Sequence, residues 1–245
     1  MIRHEIVRPP DFVYPIDEWK MIETRFYRQH LPQAETIFSI GNGYLGLRGN
    51  FEEGRPVHQS GTFVNGFHET WPIVYGEEAY GFAKTGQTIL NVPDGKILKL
   101  YVDDEPLYLP TANLLEFNRT LDMQAGTLDR RVLWETPAGK QVLVESRRLV
   151  SFEHRHLAAI SYRVTVLNAT APVVVSSQLA STDENEARGS DPRKAGGFKE
   201  RPLVPRRSST TDQRLMLGYQ TRNSKMTLAC GADHVVETEC PYLVT

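Results

Sequence analysis

Short alternating runs, rather than helical stripes, organise this chain. From His156 to Leu167, Leu157, Ala159, Ser161, Arg163 and Thr165 alternate with Ala158, Ile160, Tyr162, Val164 and Val166. That period of two predicts a strand with one face on a core. Lys96 to Asp103 alternates in the same way and stops at Asp103-Asp104-Glu105-Pro106, a turn sequence. Thr127 to Thr136 and Gln141 to Phe152 flank Pro137-Ala138-Gly139, which predicts a hairpin. Further strands are predicted over Trp19–Tyr27, Tyr44–Phe51, Pro172–Leu179, Leu215–Thr221 and Met226–Glu237. A short apolar run, Ile37 to Ile40, reads as another, and no segment predicts a helix of three turns. Many short strands divided by turn residues predict an all-β fold, a large antiparallel β-sandwich, as a single domain over 1–245. The exception is 181–212, rich in Asp, Arg, Gly, Pro and Ser, which reads as a long surface loop. Its basic cluster, Arg193, Lys194, Lys199, Arg201, Arg206 and Arg207, reads as solvated or as lying between domains.

Composition narrows the functional classes. The chain has 245 residues, 40% hydrophobic and 24% charged, enough for a sizeable core. A net charge of −2 gives no electrostatic footprint for nucleic acid. No apolar run approaches membrane-spanning length, so no membrane partner is expected. The start of the chain carries Arg3, His4, Glu5 and two prolines instead of a signal sequence. Cys230 and Cys240 make neither a disulfide framework nor a metal pattern, which fits a reduced cytoplasmic protein. The sequons at Asn118 and Asn168 then read as chance matches. The apolar Pro241–Thr245 run at the end of the chain reads as a strand, so the segment is expected to belong to a longer protein.

The most specific stretch is Gly41-Asn42-Gly43-Tyr44-Leu45-Gly46, which fits the G-x-G-x-x-G dinucleotide fingerprint. That motif needs a helix after the glycines to receive a pyrophosphate. Here Gly49, Gly54 and Pro56 follow within ten residues, and such a sequence does not form one. A dinucleotide oxidoreductase is therefore the least favoured reading. A tight β corner made by Gly41, Gly43, Gly46 and Gly49 is favoured instead. If the corner braces the fold, Arg48 should be buried and paired. An open Arg48 would mark a binding site.

The run Thr36 to Gly54 resembles the N-terminal domain of glycoside hydrolase family 65, which holds maltose, trehalose and kojibiose phosphorylases and some trehalose hydrolases. Supporting pieces follow in similar order: Trp19, the strand with its Asp103-Asp104 turn, Asn118 to Asp122, Arg147 to Phe152, and Ser177 to Leu179. The resemblance implies a galactose-mutarotase-like super-sandwich followed, in such proteins, by an (α/α)6 barrel that carries the general-acid glutamate and the phosphate site. On that basis the segment is a non-catalytic module with no catalytic residue of its own. Its implied partners are the barrel of the same polypeptide, the parent's disaccharide substrate and, as one option, a second copy. No cofactor is implied, and inorganic phosphate is co-substrate only if the parent is a phosphorylase.

The candidate binding surface is the stretch Phe67–Phe82, where His68, Glu69, Trp71, Tyr75 and Tyr80 mix aromatic faces with hydrogen-bonding groups, as a sugar needs. A sandwich-end loop packed on a neighbouring domain accounts for the same residues. An independent carbohydrate-binding module is the main alternative function. The acid pairs Glu52-Glu53, Glu77-Glu78, Asp103-Asp104 and the group Asp183, Glu184 and Glu186 read as solvated turn residues. His58, His68, His154 and His156 lack the spacing of a metal site.

Overall fold

In the computed structural model of the protein, the described residues are 10–54, 59–181, 198 and 200–245. The fold is all-β, built of antiparallel strands packed in layers as sandwiches. It divides into two compact units, 1–58 with 98–176 and 59–97 with 177–245.

The first unit is built on a five-stranded sheet in the order β1 (Lys20–Glu23), β8 (Asn113–Asp122), β9 (Thr127–Glu135), β10 (Gln141–Val150) and β11 (Ala158–Val166). The predicted hairpin is there, with Glu135 opposite Gln141. One face of β9 and β10 buries Val132, Trp134, Val142 and Val144 against Leu100, Val102, Leu107 and Leu109 from the β6 (Asp94–Val102) and β7 (Glu105–Pro106) region. A helix, α1 (Leu31–Ile37), packs Ala34 and the following Phe38 on Leu128. It takes in Ile37 of the strand expected over Ile37–Ile40; Phe38 and Ser39 follow as turn and coil, and of that run only Ile40 is extended, in β2 (Ile40–Gly41). Pro32 at its first turn and the spacing of Leu31, Ala34 and Phe38 are the helical signals.

Asp103 and Asp104 join β6 to β7 with φ of +52° and +66°, values that cost a side chain with a Cβ. Asp103 also accepts Lys140 Nζ at 2.9 Å. Asp104→Gly should therefore stabilise the protein by about 0.5–1 kcal/mol. A thermal melt should show a rise of a few degrees, and a fall would contradict the turn.

The second unit pairs β4 (Thr62–Pro72) with β5 (Thr85–Asn91), and β13 (Leu203–Thr211) with β14 (Arg214–Thr221) and β15 (Thr227–Asp233). Its core is Phe67, Leu90, Val92 and Leu203, with Tyr219, Met226 and Leu228 against them. The expectation of a surface loop over 181–212 needs correction at its end, because 203–211 is a strand. Its side chains beyond Val204 are exposed, so apolar periodicity gave no signal, and backbone pairing to β14 holds it. Residues 182–197 and 199, with Arg193, Lys194, Lys199, Asp183, Glu184 and Glu186, lie outside the described residues, as does His58.

Candidate functional site

The glycine run folds as a hairpin of β2 and β3 (Leu45–Leu47), with Ile40 opposite Leu47 and Gly41 opposite Gly46. Asn42 closes it. Its Oδ1 accepts Tyr44 N–H at 2.9 Å and Leu45 N–H at 2.8 Å, while its Nδ2 donates to the carbonyls of Ser151 and Arg155. Tyr44 lies edge-on to His156, with the Arg155 guanidinium 5.1 Å from its ring centre. The glycines do different things. Gly43 turns the chain at φ +84°, and a Cβ on Gly49 would lie 2.7 Å from the Phe38 carbonyl oxygen. A Cβ on Gly46 would meet nothing within 4 Å. Among the described residues no helix follows the run, so the strand–turn–helix unit of a dinucleotide fingerprint is not formed there. Arg48 donates from Nη2 to the Pro32 carbonyl at 3.0 Å and faces Glu35 at 3.5 Å, with 14% of its side chain exposed. It is paired and nearly covered, as a bracing corner requires.

The chain leaving the corner lies across the inner face of the sheet on three arginines. In register, Arg119 is opposite Arg130, Arg130 is opposite Ser146, and Arg148 is two residues on, so all three share that face. Arg119 donates twice to Glu23 and once to the Gly49 carbonyl, between the rings of Phe38 and Phe51 at 4.1 and 4.2 Å. Arg130 grips Glu53 with two 2.6 Å bonds and lies 3.2 Å from Glu52. Arg148 bonds Glu52 at 2.6 Å and the carbonyls of Arg48 and Asn50. Tyr162 donates to Glu53, and Tyr14 to Glu23. Glu52 and Glu53, expected to be solvated, are instead 4% and 6% exposed. Planar guanidinium groups can satisfy both a carboxylate and the carbonyls of an irregular strand, which lets a coil run through a buried layer.

Electrostatics follows from that burial. Desolvation would raise the Glu52 carboxyl, but Arg148 and Arg130 outweigh it and hold it at about 2. Burial and then the Glu53 charge push the Tyr162 hydroxyl well above its usual value. A carboxyl depressed below its unfolded value of about 4.3 contributes stability that is complete above that pH and lost as pH falls towards 2. Denaturant midpoints measured from pH 6 to pH 2.5 should fall steeply below about pH 4, whereas a flat profile would contradict the network.

Most of the candidate sugar-binding residues lie elsewhere than expected. His68, Glu69 and Trp71 are on strand β4 rather than in a loop. Trp71 is 7% exposed, covers Gly86 on β5 and meets Phe198 edge-on at 5.4 Å. Its indole Nε1 is buried without a hydrogen-bond partner. Glu69 is fully buried and accepts the backbone N–H groups of Asn223, Ser224 and Thr70. Burial pushes its pKa up, and those N–H bonds pull it below the ordinary value. β4 turns both side chains into their own unit. His68 is half-buried, with Nδ1 2.9 Å from the Gly66 carbonyl. Tyr75 and Tyr80 remain in the 73–84 loop. Tyr75 packs on Phe82 at 4.8 Å, and Tyr80 is fully exposed.

Chemically, the arrangement binds its own chain. The described buried acids Glu23, Glu35, Glu52, Glu53 and Asp94 each meet Arg or Lys, and Glu69 meets backbone N–H groups. A glycosidic general acid needs a carboxyl pushed upward. Among the described residues no three His, Cys, Asp or Glu are grouped to hold a metal. Two open depressions, of about 570 and 370 Å³, are lined mainly by exposed polar residues such as Arg214 and Asp233, and Arg147 and Arg163.

The fold and site thus define a β-sandwich module whose described buried acids are held by its own arginines, a lysine and backbone N–H groups. The profile described as glycosyl hydrolase family 65, N-terminal domain, matches residues 21–242, and the chain belongs to that family. It is 41% identical over 91% of its length to an uncharacterized glycosyl hydrolase of Mycobacterium leprae, of which it covers 28%. It is 39% identical over 95% of its length to the alpha,alpha-trehalose phosphorylase of Thermoanaerobacter brockii, of which it covers 31%. A solved human-microbiome protein, provisionally assigned as a kojibiose phosphorylase, superposes with a TM-score of 0.76. That match is at 18% identity and covers 96% of this chain and 30% of that one. The chain thus spans less than a third of these relatives.

Proposed function

We propose that this chain is the N-terminal, non-catalytic module of a disaccharide phosphorylase, with the catalytic barrel in the remainder of the same polypeptide. The observation that carries the reading is the family match over 21–242 in a chain that spans 28% and 31% of the two relatives. The inward pairing of its buried acids supports it. The substrate class is an α-glucosidic disaccharide, cleaved against inorganic phosphate. Phosphate is then the nucleophile, so one protonated carboxyl, outside this module, suffices. Two free thiols, Cys230 and Cys240, fit a cytoplasmic setting. The full-length protein should release glucose 1-phosphate from trehalose or kojibiose only when phosphate is present. Release of glucose at equal rate without phosphate would favour a hydrolase, and no turnover of either sugar or of maltose would overturn the reading.

Exposed Tyr80, with Tyr75 packed on Phe82, supports a second reading, an independent sugar-binding module. Calorimetric titration with maltose, trehalose and kojibiose separates the two. Millimolar binding that disappears in Tyr80→Ala supports the second reading, and absence of heat supports the first.

A further inference from the structure

The inner face of the first unit's sheet extends past its cover. Glu23 opposite Arg119 is sealed beneath Phe38 and Phe51. One step along the same face, Met21 is opposite Leu121 and is 36% exposed. Backbone pairing gathers more apolar residues at this end: Ile16 bridges to Met21, and Met123 N–H donates to the Trp19 carbonyl at 2.9 Å. Ile16 is 94%, Trp19 47% and Met123 55% exposed. Four large apolar residues are therefore held by sheet register in one place. Single exposed residues on turns need no explanation, but a contiguous apolar patch marks an interaction surface.

We propose that Ile16, Trp19, Met21 and Met123 form the face on which the remainder of the polypeptide packs, a proposal that rests on the reading of this chain as the N-terminal module of a longer enzyme. More than two thirds of each relative lies outside the matched region, a length that must meet this module somewhere. Interfaces between domains of one chain bury about 600–1,500 Å², and a rigid apolar shelf supplies the dry centre of such a contact.

The test uses the full-length protein and its own methionines. Peroxide oxidation followed by peptide mapping compares Met21 and Met123 with Met216, which is 49% exposed in the second unit. The proposal predicts that both shelf methionines oxidise roughly tenfold more slowly than Met216, since susceptibility follows exposure. It also predicts that Trp19→Ser speeds oxidation of Met21 and Met123. Equal rates at all three in a protein that performs phosphorolysis would overturn this inference and leave the proposed function standing. Protection in a protein with no phosphorolysis would overturn the proposed function alone. Protection lost when a dimer is diluted to monomer would assign the shelf to a second copy and overturn the inference.

Discussion

Arg148→Met should destabilise the protein by about 3–5 kcal/mol, the cost of leaving a buried charge without its partner. Arg148 is 1% exposed and makes three bonds, one to Glu52 and two to the carbonyls of Arg48 and Asn50. Met fills much of the same volume, so packing changes little. What is lost is the charge beside Glu52 and a donor to each of those two carbonyls. Arg130 remains, 3.2 Å from Glu52, but it is already committed to Glu53. The loss should appear as a lower denaturant midpoint. A change below about 1 kcal/mol, the size of an exposed pair, would mean that the network is not sealed.

Gly49→Ala is the second large effect, and Gly46→Ala is its control. The two glycines are three residues apart in one run, yet their surroundings differ. At Gly49 an added Cβ meets the Phe38 backbone at 2.7–2.8 Å, and backbone cannot swing aside as a flexible side chain can. The same residue gives its N–H to the Glu35 carbonyl and receives Arg119 at its own carbonyl. Forcing the segments apart should cost about 3 kcal/mol. At Gly46 nothing lies within 4 Å, so alanine should be neutral or stabilising by up to about 1 kcal/mol. Equal melting temperatures for the two variants would remove the argument that close packing is the purpose of the corner.

The sequence pattern carried the sheet well where strands alternate. Predicted runs at Thr127–Thr136, Gln141–Phe152 and His156–Leu167 match β9, β10 and β11 to within two residues at each end. β4 is not legible, because the aromatic stretch Phe67–Phe82 reads as a loop. Residues 67–72 of it are strand, and Trp71 is inward because Gly86 leaves space for its ring. The buried arginines were legible in part. Arg130 falls between inward Leu128 and Val132, and Arg148 between inward Ser146 and Val150, so alternation places both inside. What alternation cannot supply is the counter-charge. Glu52 and Glu53 arrive from a segment with no regular period, and only the folded chain sets them against Arg130 and Arg148. For Arg48 the sequence left two outcomes open, paired or exposed, and the folded chain shows it paired to Pro32 and Glu35.

The proposed function requires that the acids of this module hold structure and take no part in the reaction. The direct measurement is kcat for disaccharide phosphorolysis by the full-length protein carrying Glu53→Gln, and separately Glu69→Gln. It should be taken well below each variant's melting temperature and normalised to the folded fraction. A kcat within about twofold of the parent protein is expected, with a lowered melting temperature, because Glu53 is held by Arg130 and Tyr162 and Glu69 by backbone N–H groups of the module itself. A loss of about 100-fold or more in a folded variant, the scale of a missing general acid or base, would contradict it.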